Sequence, residues 1–165
     1  MGTRGALGFS VVELVVTMAV ALTLIALSGP TFRTLTQNNR MAAQVNDLVA
    51  DINYARSEAI KRRTNITVCI SSDGATCTGL NWRDGRVVMA GGTVLRARGP
   101  LGGSGDTLTS TAPNPLIFDL RGAVPVGGNF TFCDDRGVAF GRLLILNNIG
   151  QATLNRATPP VATCL

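Results

Sequence analysis

Apolar positions along the chain fall into three regimes. From Phe9 to Pro30 the sequence reads FSVVELVVTMAVALTLIALSGP, apolar on every face, with Glu13 as its one charge. A helix of these 22 residues would extend about 33 Å, enough for a hydrocarbon core of about 30 Å. The pattern predicts a membrane-spanning helix over 9–30 and excludes an amphipathic surface helix there. A secretory signal peptide fits poorly, because its shorter apolar region is followed by a small-residue cleavage site. Here the small residue, Gly8, precedes the run.

After Pro30 the period changes. Val45, Leu48, Val49, Ile52, Ala55 and Ala59 recur at helical spacing and form one stripe. Asn46, Asp47, Asn53, Ser57 and Arg62 fall mostly away from it. This predicts an amphipathic helix over 31–64, with Lys61, Arg62 and Arg63 in its last turn, where cations suit the helix dipole. From 65 to 165 the pattern is β. Strands are predicted at Ile66–Ile70, Arg86–Met89, Thr93–Arg96, Phe130–Cys133, Leu143–Leu146 and Ala152–Leu154, separated by Gly-rich breaks. The stretch from Arg98 to Pro115 is the least regular by composition and is expected to be a mobile loop. The fold class is therefore α+β: a long N-terminal helix whose second half packs on a mostly antiparallel β domain.

Composition removes several chemistries. The 165 residues contain no histidine, so His bases, Ser-His and Cys-His pairs and His-ligated metals are excluded. Aromatic residues make up 5%, too few for a base-stacking platform. Fifteen Lys and Arg against ten Asp and Glu give a net charge of +5. Asp134-Asp135 and Asp84-Gly85 read as turns, and the Gly-rich segments lack the context of a phosphate-binding loop. Trp82 is expected to pack against the helix. Asp51 and Glu58 are seven apart on the helix, with nothing to suggest an acid–base pair. No catalytic constellation, metal site or cofactor site is found, and the reading is not an enzyme.

Glu13 needs an explanation. A carboxylate at membrane depth costs roughly 2.5–3.5 kcal/mol on insertion scales and marks function by default. A cut between Gly8 and Phe9 would create an amine four residues away, one helical turn from Glu13.

The run Gly8-Phe9-Ser10-Val11-Val12-Glu13-Leu14 resembles the leader junction of type IV prepilins and pseudopilins. The resemblance implies a leader over 1–8, cleavage after Gly8 by the prepilin peptidase, and N-methylation of Phe9. It also implies that Glu13 neutralises a neighbouring subunit's N-terminus during filament assembly. Pro30 falls where many of these helices carry a kinking proline. Arg56-Ser57-Glu58-Ala59-Ile60-Lys61-Arg62, then Cys69, Cys77 and Trp82-Arg83-Asp84-Gly85-Arg86, resemble the GspH/FimT-type domain of minor pilins and minor pseudopilins. The implied place is the bacterial inner membrane, single-pass, with a periplasmic C-terminal domain, before assembly into a pilus or pseudopilus.

The even cysteine count fits an oxidising compartment. Four cysteines allow three pairings, of which Cys69–Cys77 with Cys133–Cys164 is favoured. The first spans a strand-turn-strand step and the second would anchor the C-terminal tail. Zinc is the competing reading, but no CxxC-like pair exists.

Three functions follow from the resemblance. The first is a minor pilin, a structural subunit near the tip of a type IV pilus, with the major pilin and other minor pilins as partners. The second is a minor pseudopilin of the type II secretion system. The third is a DNA-binding minor pilin for natural transformation, where the family points to a Gly-Arg-x-Arg motif near the C-terminus. Gly141-Arg142-Leu143-Leu144 and Gly150-Gln151-Ala152-Thr153 both lack its second Arg. Arg96, Arg98, Arg142 and Arg156 are the remaining candidate contacts to DNA or another anion.

Overall fold

The computed structural model describes residues 8–103, 105–155 and 164, with backbone alone at 26–31. The leader positions before Gly8 and the candidate Arg156 lie outside the described residues. The one α-helix among the described residues, α1, runs from Val11 to Arg62. The chain divides into two compact units between Asn39 and Arg40.

In the first unit, every described side chain from Gly8 to Ile25 is exposed, including Phe9, Val11, Leu22 and Ile25. The two threonine hydroxyls in this run are satisfied by the helix itself. Thr17 Oγ1 donates to the Leu14 carbonyl at 2.9 Å, and Thr23 Oγ1 to the Val20 carbonyl at 2.8 Å. Among the described residues no helix is both long and apolar enough to cross a membrane. The side chains at 26–30, which complete the 22-residue run of the sequence, are outside that description. The backbone is helical at Pro30.

The second unit holds the remainder of α1 and two four-stranded antiparallel sheets. The first contains β1 (Ile66–Ile70), β2 (Arg86–Ala90), β3 (Thr93–Arg98) and β5 (Leu116–Phe118), in the order β3-β2-β1-β5. The second contains β4 (Thr107–Ser110), β6 (Gly128–Cys133), β7 (Arg142–Leu146) and β8 (Ala152–Asn155), in the order β4-β6-β7-β8. Val68 faces Val88 across β1 and β2, and Phe130 faces Leu144 across β6 and β7. The β2–β3 register shifts between Val88 and Met89.

One core joins the helix to both sheets. Val45, Leu48, Ile52, Ala55 and Ala59 are buried, as the stripe requires, with Val49 at its margin. Val68, Val88, Leu116 and Phe118 come from the first sheet, and Phe130, Phe132 and Leu144 from the second. Trp82, in a short 3-10 turn at Trp82–Asp84, is buried in the same cluster and meets Phe130 edge-on, with centroids 5.2 Å apart. That orientation suits the opposite charge of ring edge and ring face.

The Arg98–Pro115 stretch corrects the loop expectation, because β4 lies within it. Thr107, Leu108, Thr109 and Ser110 pair with Cys133, Phe132, Thr131 and Phe130, and only Leu108 of the four is buried. This short alternation is a half-buried edge strand, hidden in the sequence by the glycines before it and the prolines after it.

Candidate functional site

The N-terminal end of α1 starts from Ser10, whose carbonyl accepts the Leu14 N–H at 3.1 Å. Glu13 lies in the first helical turn, exposed. Ser10 and Glu13 have the spacing of a capping box, and a carboxylate there also suits the positive end of the helix dipole. Helix geometry thus accommodates Glu13 locally while leaving its carboxylate accessible. Gly8 and Phe9 precede the helix, and Phe9 is 80% exposed. The junction is therefore an accessible, non-helical peptide followed by an apolar helix.

The strongest electrostatic constellation lies in the second unit. Asp51 is fully buried, although it occupies α1 beside the core residue Ile52. Its Oδ2 accepts the Arg86 Nε at 2.8 Å, and Arg86 is only 3% exposed. Arg86 Nη2 is 2.7 Å from the same oxygen but out of line for a hydrogen bond, and it has no other partner among the described residues. Asp51 Oδ1 accepts from Arg96 Nη1 at 3.1 Å and Arg98 Nε at 3.5 Å. Arg98 also reaches Asp47, and Arg96 stacks over Tyr54 with its Cζ 4.2 Å from the ring centroid. Burial pushes the Arg86 pKa down, against the opposing pull of Asp51. Register explains the gathering: β2–β3 pairing sets Arg86 opposite Arg98 and Val88 opposite Arg96. Helical spacing sets Asp47 and Asp51 on one face.

Arg96 and Arg98 are thus half-exposed but already engaged with carboxylates. Arg142 is half-buried on β7. The structure brings Arg96 and Arg98 together and places Arg142 on the other sheet. Asp51 and Arg86 were missed as partners at the level of sequence. The signal was present: Asp51 is three residues after Leu48 and four before Ala55, on the apolar stripe itself.

A second clamp begins the second unit. Arg40 grips Asp106 with two hydrogen bonds, Nε to Oδ2 at 2.9 Å and Nη2 to Oδ1 at 2.8 Å. Gln44 donates to Asp106 as well, and Asp106 is 1% exposed. The hydrogen bonds that Arg40 donates to Asp106 raise its pKa. Asp134 folds back on Arg136, accepting both its backbone N–H and its guanidinium, so this acidic pair is a turn. Burial alone would raise the Asp134 pKa, but the Arg136 hydrogen bonds outweigh it and hold it below the usual range.

Two disulfides join Cys69 to Cys77 and Cys133 to Cys164. The first closes a loop in which Asp73 accepts from the Thr76 hydroxyl and N–H, the Ala75 N–H and the Ser71 hydroxyl. These bonds, Thr76 foremost, hold the Asp73 carboxyl far below its ordinary pKa. A polar cleft of about 320 Å³ lined by Asn81, Arg83, Asp84 and Thr107 to Thr109 offers hydroxyls and charges without a base–nucleophile pair. Among the described residues no cluster of three or more His, Cys, Asp or Glu side chains is placed to hold a metal ion.

The model of the family described as Type II transport protein GspH matches residues 44–150. A crystal structure of the type IV minor pilin FimU of Pseudomonas aeruginosa is similar, with 25% identity and a TM-score of 0.62. The match covers 77% of this chain and 97% of that one. A second crystal form of FimU gives 24% identity and a TM-score of 0.58, over 73% and 97% of the two chains. The minor pseudopilin EpsH of the Vibrio cholerae Type 2 Secretion System matches at 12% identity and a TM-score of 0.49, over 70% and 96%. No curated protein sequence matches the chain.

Proposed function

Because the chain belongs to the GspH family of minor pilins and pseudopilins, we propose that it is a minor pilin, a non-enzymatic subunit built in near the tip of a type IV pilus, where it primes assembly. The observation that carries this reading is the exposed apolar surface at and just before the start of α1. Phe9, Val11, Val12, Leu14, Val15 and Val16 are all at least half exposed, with Glu13 among them. Such a surface requires lipid or another protein to cover it. The likeness to FimU supports the pilus over other destinations.

On this reading the run from Phe9 to Pro30 holds the subunit in the inner membrane before assembly and packs in the filament core afterwards. The prepilin peptidase cuts after Gly8 and methylates Phe9. The accessible, non-helical Gly8–Phe9 peptide suits cleavage. Glu13 then neutralises the N-terminal amine of a neighbouring subunit, which offsets the unfavourable burial of either charge alone. Pro30 lets the helix bend between its two functions.

Glu13→Ala should leave the second unit folded and reduce incorporation into sheared pili. A bulky residue at Gly8 should block processing. Normal incorporation of both variants would refute the mechanism. In-cell crosslinking of the full-length protein with mass spectrometry separates the two machines. Capture of the major pilin and other minor pilins supports the pilus. Capture of pseudopilins would move the same fold to type II secretion, the reading that the family's own description favours. DNA uptake has weaker support, since Arg96 and Arg98 are engaged with Asp51 and Asp47.

A further inference from the structure

The C-terminal end of α1 and the turn at 119–122 form one surface. Gly122, at φ +78°, closes the turn onto the helix: a Cβ there would lie 2.7 Å from Arg56 Cγ and 2.9 Å from Ile60 Cδ1. The loop at 147–150 stacks on the same turn, since a Cβ on Gly150 would lie 2.1 Å from the Gly122 carbonyl oxygen. Three distant segments thereby bring Ile60, Leu120 and Ile149 together at 49%, 56% and 59% exposure. An apolar cleft of about 220 Å³, lined in part by Ile117 and Val126, follows on from the turn.

The helix end and the turn that carry Ile60 and Leu120 also carry cations. The Lys61 and Arg121 side chains are 75% and 82% exposed, and Arg63 is exposed. Glu58 binds Lys61 and Arg62, and Asp119 binds Arg121 while accepting N–H groups of its own turn. With Arg56, five cations stand against two carboxylates, a local net charge of +3. Arg63 keeps a cation where the backbone would favour glycine. It holds φ +52°, and Thr64 N–H bonds to the Ala59 carbonyl in a Schellman-type helix end.

We propose that this surface docks a different subunit of the same filament, through a face that is apolar and edged by carboxylates. The proposal rests on the filament reading above. Charge complementarity selects the occupant. In a two-fold pair a second copy of this chain would present the same positive face and repel it. Nucleic acid would find phosphate contacts but no aromatic ring among the side chains named on this surface to stack its bases. Exposed aliphatic groups beside cations on the same segments match a protein surface of opposite charge.

The test uses the full-length protein in cells, with a photocrosslinking amino acid in place of Leu120 and, separately, of Leu14. The expected result is a Leu120 crosslink to a peptide of another pilin-type subunit that carries Asp or Glu beside apolar residues. Lys61→Glu with Arg121→Glu should lower its yield about tenfold or more, and reversing the partner carboxylate to Lys should restore it. Thermal melting of the double variant checks that it stays folded. Crosslinks to nucleic acid, lipid or a second copy of the chain would overturn the proposal, as would a yield unmoved by charge reversal. A Leu14 crosslink to pilins without one at Leu120 refutes this surface and leaves the filament reading standing. Failure at both positions refutes both.

Discussion

Replacing Asp51 by Ala removes the one acceptor shared by three guanidinium groups. The consequence differs for each. Arg96 and Arg98 side chains are 34% and 38% exposed, so they can turn to water, and each pair is worth at most about 1 kcal/mol. Arg86 is 3% exposed and cannot. Leaving one member of a buried pair uncompensated costs about 3–5 kcal/mol. That is a large part of a typical domain stability of about 5–15 kcal/mol. For a unit the size of Arg40–Leu165, 1 kcal/mol moves the melting temperature by roughly 3–5 °C. Asp51→Ala should therefore lower it by about 10–20 °C. The assay is thermal unfolding of the full chain in detergent, followed by circular dichroism, for Asp51→Ala, Arg86→Met and the double variant. The double variant removes the buried charge together with its partner, so it should melt above Asp51→Ala. Melting of Asp51→Ala within about 3 °C of the parent would refute the reasoning. So would a double variant as unstable as the two single losses added together.

Gly150→Ala should destabilise the second unit by more than Gly91→Ala. Both positions have positive φ, +74° and +52°, but only a Cβ at 150 would strike backbone, at the Gly122 carbonyl oxygen. Chemical denaturation should give about 1 kcal/mol for Gly91→Ala and clearly more for Gly150→Ala; equal losses would contradict the contact. Cys164→Ser opens the larger disulfide loop, of sequence separation 31, and should lower stability by about 3.7 kcal/mol on the chain-entropy model. An unchanged melting temperature would show that the bridge adds nothing. Acid should also destabilise the fold. Asp73, Asp119, Asp134 and Glu58 all have folded pKa values below their ordinary ones. Their contribution is complete above the unfolded carboxylate range of about 4 and is lost as pH falls through the depressed values. Melting temperatures should accordingly be flat near neutrality and decline below about pH 4; a decline starting near pH 6 would point to other groups.

Period and punctuation in the sequence determined much of this protein. The stripe through Val45, Leu48, Ile52, Ala55 and Ala59 fixed the buried face of α1, because a helix returns to the same side every 3.6 residues. The runs at 66–70, 86–89, 130–133 and 143–146 fixed the central strands, being short, rich in apolar residues and bounded by turns. The reading of Gly8–Glu13 as a junction rests on local sequence alone, a peptide and one helical turn. What the sequence left undecided depends on neighbours distant along the chain. β4 and β5 have four and three residues and gain identity only from β6 and β1 beside them. Asp51 breaks its own stripe and is stable there because strand register delivers Arg86, Arg96 and Arg98 to it. The surface around Ile60, Leu120 and Ile149 joins three segments through two glycine contacts. Periodicity reports which side of an element is buried; only tertiary packing decides what stands opposite it and which charges share a low-dielectric interior.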